Sequence, residues 1–337
     1  MKRYALVLLL LLPTPAFAQP PTLDETAHFL AGLPVTGPLE PLTQTEAWRN
    51  HANTLDEAWS KKEYFQLEPI RAWMGINASE YYSSTNTAYY MFSGPDFLYA
   101  HAFFPNARTY ILAGLEPVGQ VPDLSQIAPE RLTGDLSALR ASMHTILQTH
   151  YFITKDMRTD LGRSNLAGTL PILYVFLARR RCTVLDTTYV KTPAEGVKIN
   201  FQNAGRVQTL YYFKTDLSGG KSGFLNWCAA QGPGLSLLKA ASYLMHGEGF
   251  AGVRNFLIEH SRVIIQDDSG IPLRSFTKSW TVNCYGRYVP HAEMFGKYHQ
   301  PDLAAIYAKD PPPSELGFAF GYHWQRERGL LMMATHK

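Results

Sequence analysis

Eight short runs rich in aromatic and β-branched residues, all from about residue 86 onward, limit this chain more than any other feature: "AYYMF", "TYILAGLEPV", "PILYVFLA", "TVLDTTYV", "VKINF", "VQTLYYF", "VIIQ" and "WTVNCYG". Each has the length and composition of a β-strand. Between two of them, Asn203-Ala204-Gly205 supplies the small, turn-forming residues of a hairpin. Helical spacing fits residues 135–150 and 235–260, where Leu238, Ser242 and Met245 or Leu237, Ala241 and Leu244 share a flank. Strands that come in adjacent groups, and not in strict alternation with helices, predict an α+β fold with a mixed, largely antiparallel sheet packed with helices.

Upstream of the strands the pattern changes. Thr43 and Glu46 have capping-box spacing, and Trp48, Ala52, Leu55 and Trp59 form one apolar stripe, so residues 43–85 read as a helical segment. Residues 19–42, rich in Pro, Gly and Thr, read as a flexible leader. The first 18 residues pair Lys2 and Arg3 with a Leu/Val run and end in Ala16-Phe17-Ala18, the layout of a secretory signal. Its apolar run is too short to span a bilayer, and no later run is long and uncharged enough to do so. The expected product is an α+β domain over 86–337, exported to the periplasm or secreted.

An internal repeat is one reading of that domain. "AYYMFSGPDF" and "LYYFKTDL" are both aromatic runs ending at an aspartate, Asp96 or Asp216, and each precedes a Leu/Ala/Ser/His segment, "LSALRASMH" or "LSLLKAASYLMH". The halves would be about 86–192 and 196–337, with the two aspartates at equivalent strand ends.

Charge excludes one class of partner. Taking Lys2 and Arg3 from the 31 basic residues leaves 29 against 28 acidic ones, a net charge of about +1. A nucleic-acid binder shows a clustered basic face, and the tight cluster here, Arg179-Arg180-Arg181, reads as the exposed end or edge of a strand. Three cysteines allow at most one internal disulfide. Cys182 and Cys284, both in strand-like runs, are the preferred pair, with three free thiols as the alternative.

No catalytic motif is complete. "DLSGGKSGF" ends like a phosphate loop, but position 215 is Thr where that loop needs Gly, so it reads as a flexible turn. The sequence has neither a Gly-x-Ser-x-Gly elbow nor a His-Glu-x-x-His helix. His246-Gly-Glu248, His291-Ala-Glu293, and His299 with Asp302 are weak metal-ligand patterns, and the metal and cofactor stay unknown. Residues 92–119 place Asp96, His101 and Arg108 among many aromatics, which suits a pocket lining as well as a buried meander. In "QDDSG", Asp267 and Asp268 would face opposite ways on a strand. The Ser-Gly after them reads as a tight turn. In the alternative, one aspartate acts as base or metal ligand and the other caps the turn, in company with Asp96, Asp216 and His246.

"KAASYLMH", "QDDSGIPLRSF" and "FSGPDFLYAHAFFPNARTYILAGLEPVG" together resemble a family of exported bacterial proteins over most of the chain. The resemblance implies export and brings no activity, cofactor or site residue with it. Two functions follow as expectations. One is a protein that binds an envelope component, such as a glycan or small molecule, through aromatic-rich surfaces that include His101 and Arg108. The other is a periplasmic hydrolase, metal-assisted or not, that uses Asp96, Asp216, His246, Asp267 and Asp268. Gathering of those five in one cleft would favour the hydrolase.

Overall fold

The computed structural model describes residues 20–152, 159, 164–220, 222–289, 293–309, 312, 315–323 and 325–336. The segment read as a signal, residues 1–18, lies outside them. Among the described residues, nine strands form a single mixed sheet in the order β3-β4-β5-β2-β1-β6-β7-β9-β8. They are β1 Thr87–Tyr90, β2 Thr109–Gly114, β3 Thr183–Val190, β4 Gly196–Asn203, β5 Arg206–Lys214, β6 Gly234–Leu238, β7 Ser261–Gln266, β8 Trp280–Gly286 and β9 Leu330–His336. The expected α+β class is the observed one. Strands β3-β4-β5 and β7-β9-β8 are antiparallel and flank a parallel centre, β5-β2-β1-β6-β7.

Burial explains this division of labour. Strands β1 and β6 are buried at every residue, as parallel strands covered on both faces must be, whereas the edge strand β3 is exposed along most of its length. Successive side chains of the central strands serve two cores. Ala88, Tyr90, Tyr110, Leu112, Val263 and Ile265 join one; Tyr89, Met91, Ile111, Ala113 and Ile264 join the other. Onto the first face pack helices Leu23–Leu30, Glu46–Lys62, Phe97–Phe103, Pro129–Thr149 and Leu170–Arg179, and onto the second Ser222–Ala229 and Ala251–His260. No helix among the described residues is long and apolar enough to cross a membrane.

Several local expectations are corrected, each for a physical reason. "PILYVFLA" belongs to helix Leu170–Arg179, buried along its whole length. An all-round apolar run carries no period to tell a buried helix from a buried strand. Arg179 and Arg180 therefore end a helix and not a strand, where they pair with Asp56 (2.6 Å) and Glu63 (3.1 Å). Conversely, the expected helix over 235–260 begins as β6, and only Ala251–His260 is α-helical. "LSALRASMH" is helical while "LSLLKAASYLMH" is a strand and its loop, so these two stretches of the proposed repeat differ.

The supposed leader holds a helix, Leu23–Leu30, closed by a capping box of Thr22 and Glu25, with Phe29 and Leu30 fully buried. Each such side chain contributes on the order of 2 kcal/mol, enough to tie the segment down. Helix Glu46–Lys62 is capped by Thr45, whose hydroxyl accepts from the Trp48 amide at 3.2 Å, and not by Thr43. The hairpin expectation holds: Ala204 and Gly205 take φ of 47° and 80°, the double left-handed turn that suits strand twist. Cys182, Cys228 and Cys284 are free. Cys182 leads into β3 and Cys284 lies in β8, at opposite sheet edges about eight strand spacings, or roughly 38 Å, apart.

Candidate functional site

The parallel centre dictates where a site can form. From β1 the chain crosses one face, through Phe97–Phe103, to β2; from β6 it crosses the other face, through Ala251–His260, to β7. Counted along the parallel strands alone, the order is 3-2-1-4-5, that of a doubly wound sheet, whose crevice opens at the strand carboxyl ends where the winding reverses. Here that place lies between the ends of β1 and β6. A cavity of about 30 Å³ sits there, lined in part by Tyr90, Asp96, Glu116, Tyr151, Lys239 and Ala240.

Asp96 is the first carboxylate of the crevice. It caps helix Phe97–Phe103 by accepting from the Tyr99 amide at 3.0 Å through Oδ1. Its Oδ2 accepts from the Tyr90 hydroxyl at 2.9 Å and lies 3.0 Å from Lys239 Nζ, which follows β6. Lys239 also sits 3.8 Å from the centre of the Tyr99 ring and donates to the His150 carbonyl. A second buried lysine, Lys62, reaches the same cluster, with Nζ 2.6 Å from His150 Nδ1. Burial pushes both amines down from the usual lysine range, Lys62 furthest because the Lys239 charge adds to the effect. On the far side, Glu116 follows β2 and accepts from the Tyr212 hydroxyl at 3.3 Å.

Asp267 and Asp268 follow β7, alongside. Asp267 is fully buried: its Oδ1 accepts from the Ser269 hydroxyl at 2.6 Å, and its Oδ2 accepts from the Ala240 and Tyr322 amides, both at 3.3 Å. Burial, and then the neighbouring Asp268 charge, push its pKa up to about 6. Asp268 accepts from the Tyr243 hydroxyl at 2.8 Å and lies 3.4 Å from His323 Nε2. Tyr243 stacks on Tyr298 at 5.0 Å and 4°, runs nearly parallel to Tyr322 at 6.3 Å, and meets Phe295 at 5.0 Å.

The backbone around these groups is held in costly conformations. Ala240, Ser242 and Tyr243 after β6, and Phe92 after β1, all have positive φ without being glycine. Each costs on the order of 1 kcal/mol or more and persists only where surrounding contacts enforce it, a situation that concentrates at functional sites.

Asp96, Asp267 and Asp268 of the expected catalytic set thus meet at one end of the sheet. His246 stands at the margin: it closes a short 3-10 turn, its ring centre is 5.3 Å from that of Tyr243, and burial lowers its pKa. Asp216 is exposed, accepting from the Ser218 amide at 2.9 Å in the loop after β5, because β2 and β1 separate β5 from the crevice. Neither His101 nor Arg108 lines this crevice. His101 is buried in helix Phe97–Phe103 against Arg180 and Asn203, and Arg108 is exposed at the amino end of β2. His291 lies outside the described residues, while His299 is exposed and 2.7 Å from the Tyr288 hydroxyl.

Sequence reasoning missed Lys62, Lys239, Glu116 and His323. A lysine in sequence reads as surface, and Lys239 sat in a segment taken for a helix; the signal available was its place directly after "LSLL", at a strand end. Among the described residues, no group of three or more His, Cys, Asp or Glu side chains is placed to hold a metal ion. The chain matches no family model, no curated protein and no solved structure with which it was compared.

Proposed function

We propose that this is an exported enzyme of the hydrolase class, whose crevice binds a neutral, hydroxyl-rich small molecule, of saccharide type, and acts on it by general acid–base catalysis. One observation carries the reading: a buried carboxyl, Asp267, with a pKa near 6 stands beside a second carboxylate, Asp268, at the strand ends where an open sheet forms its ligand crevice. A group poised near neutrality can both give and take a proton, which is what acid–base catalysis needs.

The surroundings support the choice of ligand. Asp96, Glu116, Asp267 and Asp268 outnumber Lys62 and Lys239, and Asp96 already occupies the helix N-terminus where a phosphate would otherwise sit. An anionic ligand is therefore disfavoured. Half-buried Tyr151, Tyr298, Tyr322 and Phe295 offer flat apolar faces of the kind that pack against sugar rings, with phenols that accept and donate. Glycan binding through aromatics and hydrolysis through strand-end aspartates become two parts of one site.

The test is thermal unfolding of the full chain with soluble cell-wall saccharides, with EDTA and with divalent metals, beside an assay for released reducing ends. A saccharide at about a hundred times its dissociation constant adds roughly 2.7 kcal/mol, or about 4 °C for this chain. The reading requires that shift, and reducing ends whose release Asp267→Asn and Asp268→Asn abolish. A panel with no shift and no release removes it. Export is checked separately, by whether the protein recovered from cells begins at Gln19.

A further inference from the structure

Lys239 is an unusual residue to find on the wall of this cavity. Its side chain is 1% exposed, it approaches one carboxylate oxygen of Asp96 at 3.0 Å, and a second buried lysine, Lys62, joins the same His150. Two amines thus crowd the carboxylate of Asp96, with Asp267 the next anion in range of Lys239. Removing a lone ion pair from water already costs more than its attraction commonly returns, and a second cation beside it raises the cost further. For stability alone, an apolar side chain of similar length would serve at least as well. The strained residues Ala240, Ser242 and Tyr243 follow Lys239 directly, so the backbone too is held here against its preference.

We propose that Lys239 is a nucleophilic amine that captures a carbonyl group, an aldehyde or ketone, held in the cavity. This deepens the reading of the crevice as a small-molecule site by naming the group its ligand presents; cleavage of a saccharide bond frees a reducing end, whose open-chain form carries such a carbonyl. The chemistry balances with the groups present. Asp96 Oδ2 takes a proton from the ammonium across their 3.0 Å contact. The freed nitrogen lone pair attacks the carbonyl carbon, and the C=O π pair moves to oxygen, which takes a proton from that nitrogen to give a carbinolamine. Loss of the last nitrogen proton and of that hydroxyl as water leaves the imine, with Asp96 keeping the first proton. Burial disfavours the charged form of Lys239 against the pull of Asp96 and Asp267, and a lysine kept from water in this way can act as a nucleophile. The Tyr99 ring and the His150 carbonyl fix the amine's position.

Reductive trapping tests this on the wild-type full chain, with no variant needed for the primary result. The protein is treated at pH 7 with glycolaldehyde and cyanoborohydride, and adducts are located by peptide mass mapping over a time course. The exposed Lys61, Lys191 and Lys278 of the same molecule serve as rate references. The proposal expects Lys239 to be labelled at least tenfold faster than these three, and to be so labelled even where saccharides give neither thermal shift nor reducing ends, which separates it from the acid–base reading of the crevice. Labelling of the exposed lysines with Lys239 untouched or slower would overturn the proposal, as would capture by Lys62 instead.

Discussion

Replacing Asp267 with asparagine should make the protein more stable at alkaline pH and remove part of its pH dependence. The carboxyl is fully buried, and its pKa moves from the ordinary 3.8 to about 6 because burial and the Asp268 charge both penalise ionisation. An acid whose pKa is higher folded than unfolded keeps its proton longer in the native state. Its contribution therefore favours folding most below about pH 4 and turns steadily against folding as pH rises from 4 through 6. At 1.36 kcal/mol per pH unit, the full effect is about 3 kcal/mol.

Asparagine has no such titration and fits the same hydrogen bonds. Its oxygen, placed at Oδ2, can accept from the Ala240 and Tyr322 amides, and its NH₂, placed at Oδ1, can donate to the Ser269 hydroxyl oxygen. That hydroxyl then loses its own acceptor, at a cost of about 1 kcal/mol that does not vary with pH. The expected result is a variant about 0.5 kcal/mol less stable than wild type at pH 4 and about 2 kcal/mol more stable at pH 8. With an unfolding entropy of about 2 cal/mol/K per residue over 337 residues, one kelvin corresponds to roughly 0.7 kcal/mol. The midpoint difference should then swing by about 4 °C across that range, read by circular dichroism in matched buffers. Parallel midpoint curves for the two proteins would refute the assignment of a raised pKa to Asp267, and with it the acid–base role.

Other consequences follow from the same contacts. Asp96→Ala leaves Lys239 buried without its ion-pair partner and the Tyr90 hydroxyl without its acceptor, and should cost about 3 to 5 kcal/mol in a urea titration, whereas Asp216→Ala, at an exposed position, should change stability by no more than about 0.5 kcal/mol. Gly321 has φ 63°, and a Cβ there would overlap the Asp267 carboxylate. Gly321→Ala should thus cost about 2 to 5 kcal/mol, from the left-handed backbone and from overpacking, and the saccharide-induced thermal shift should disappear with the displaced carboxylate. Because all three cysteines are free, a reducing agent should leave the thermal midpoint unchanged, and the denatured protein should titrate three thiols.

How much of this was legible in the sequence depended on whether the deciding interaction was local. The turn at Ala204-Gly205 was readable because a two-residue hairpin demands positive φ from those very positions. Helix Leu170–Arg179 was not, because its identity comes from packing on every side and its sequence carries no period. "QDDSG" lies between these cases. Its turn is real, with the Gly270 amide donating to the Asp267 carbonyl at 3.2 Å, as the Ser-Gly suggested.

Yet that turn does not decide the fate of the carboxylates. They are buried because Ala240 comes from the neighbouring strand end, Tyr243 from the loop beyond it, and Tyr322 and His323 from near the end of the chain. The choice between turn and site was therefore a false one: tight turns at the carboxyl ends of parallel strands are the positions from which an open sheet presents chemistry. The same logic covers Lys239, whose meaning lies in Asp96 and His150, two distant segments that the strand order brings to one crevice. For a doubly wound sheet, the residue immediately after each central strand is the position to inspect first, whatever its side chain would suggest on its own.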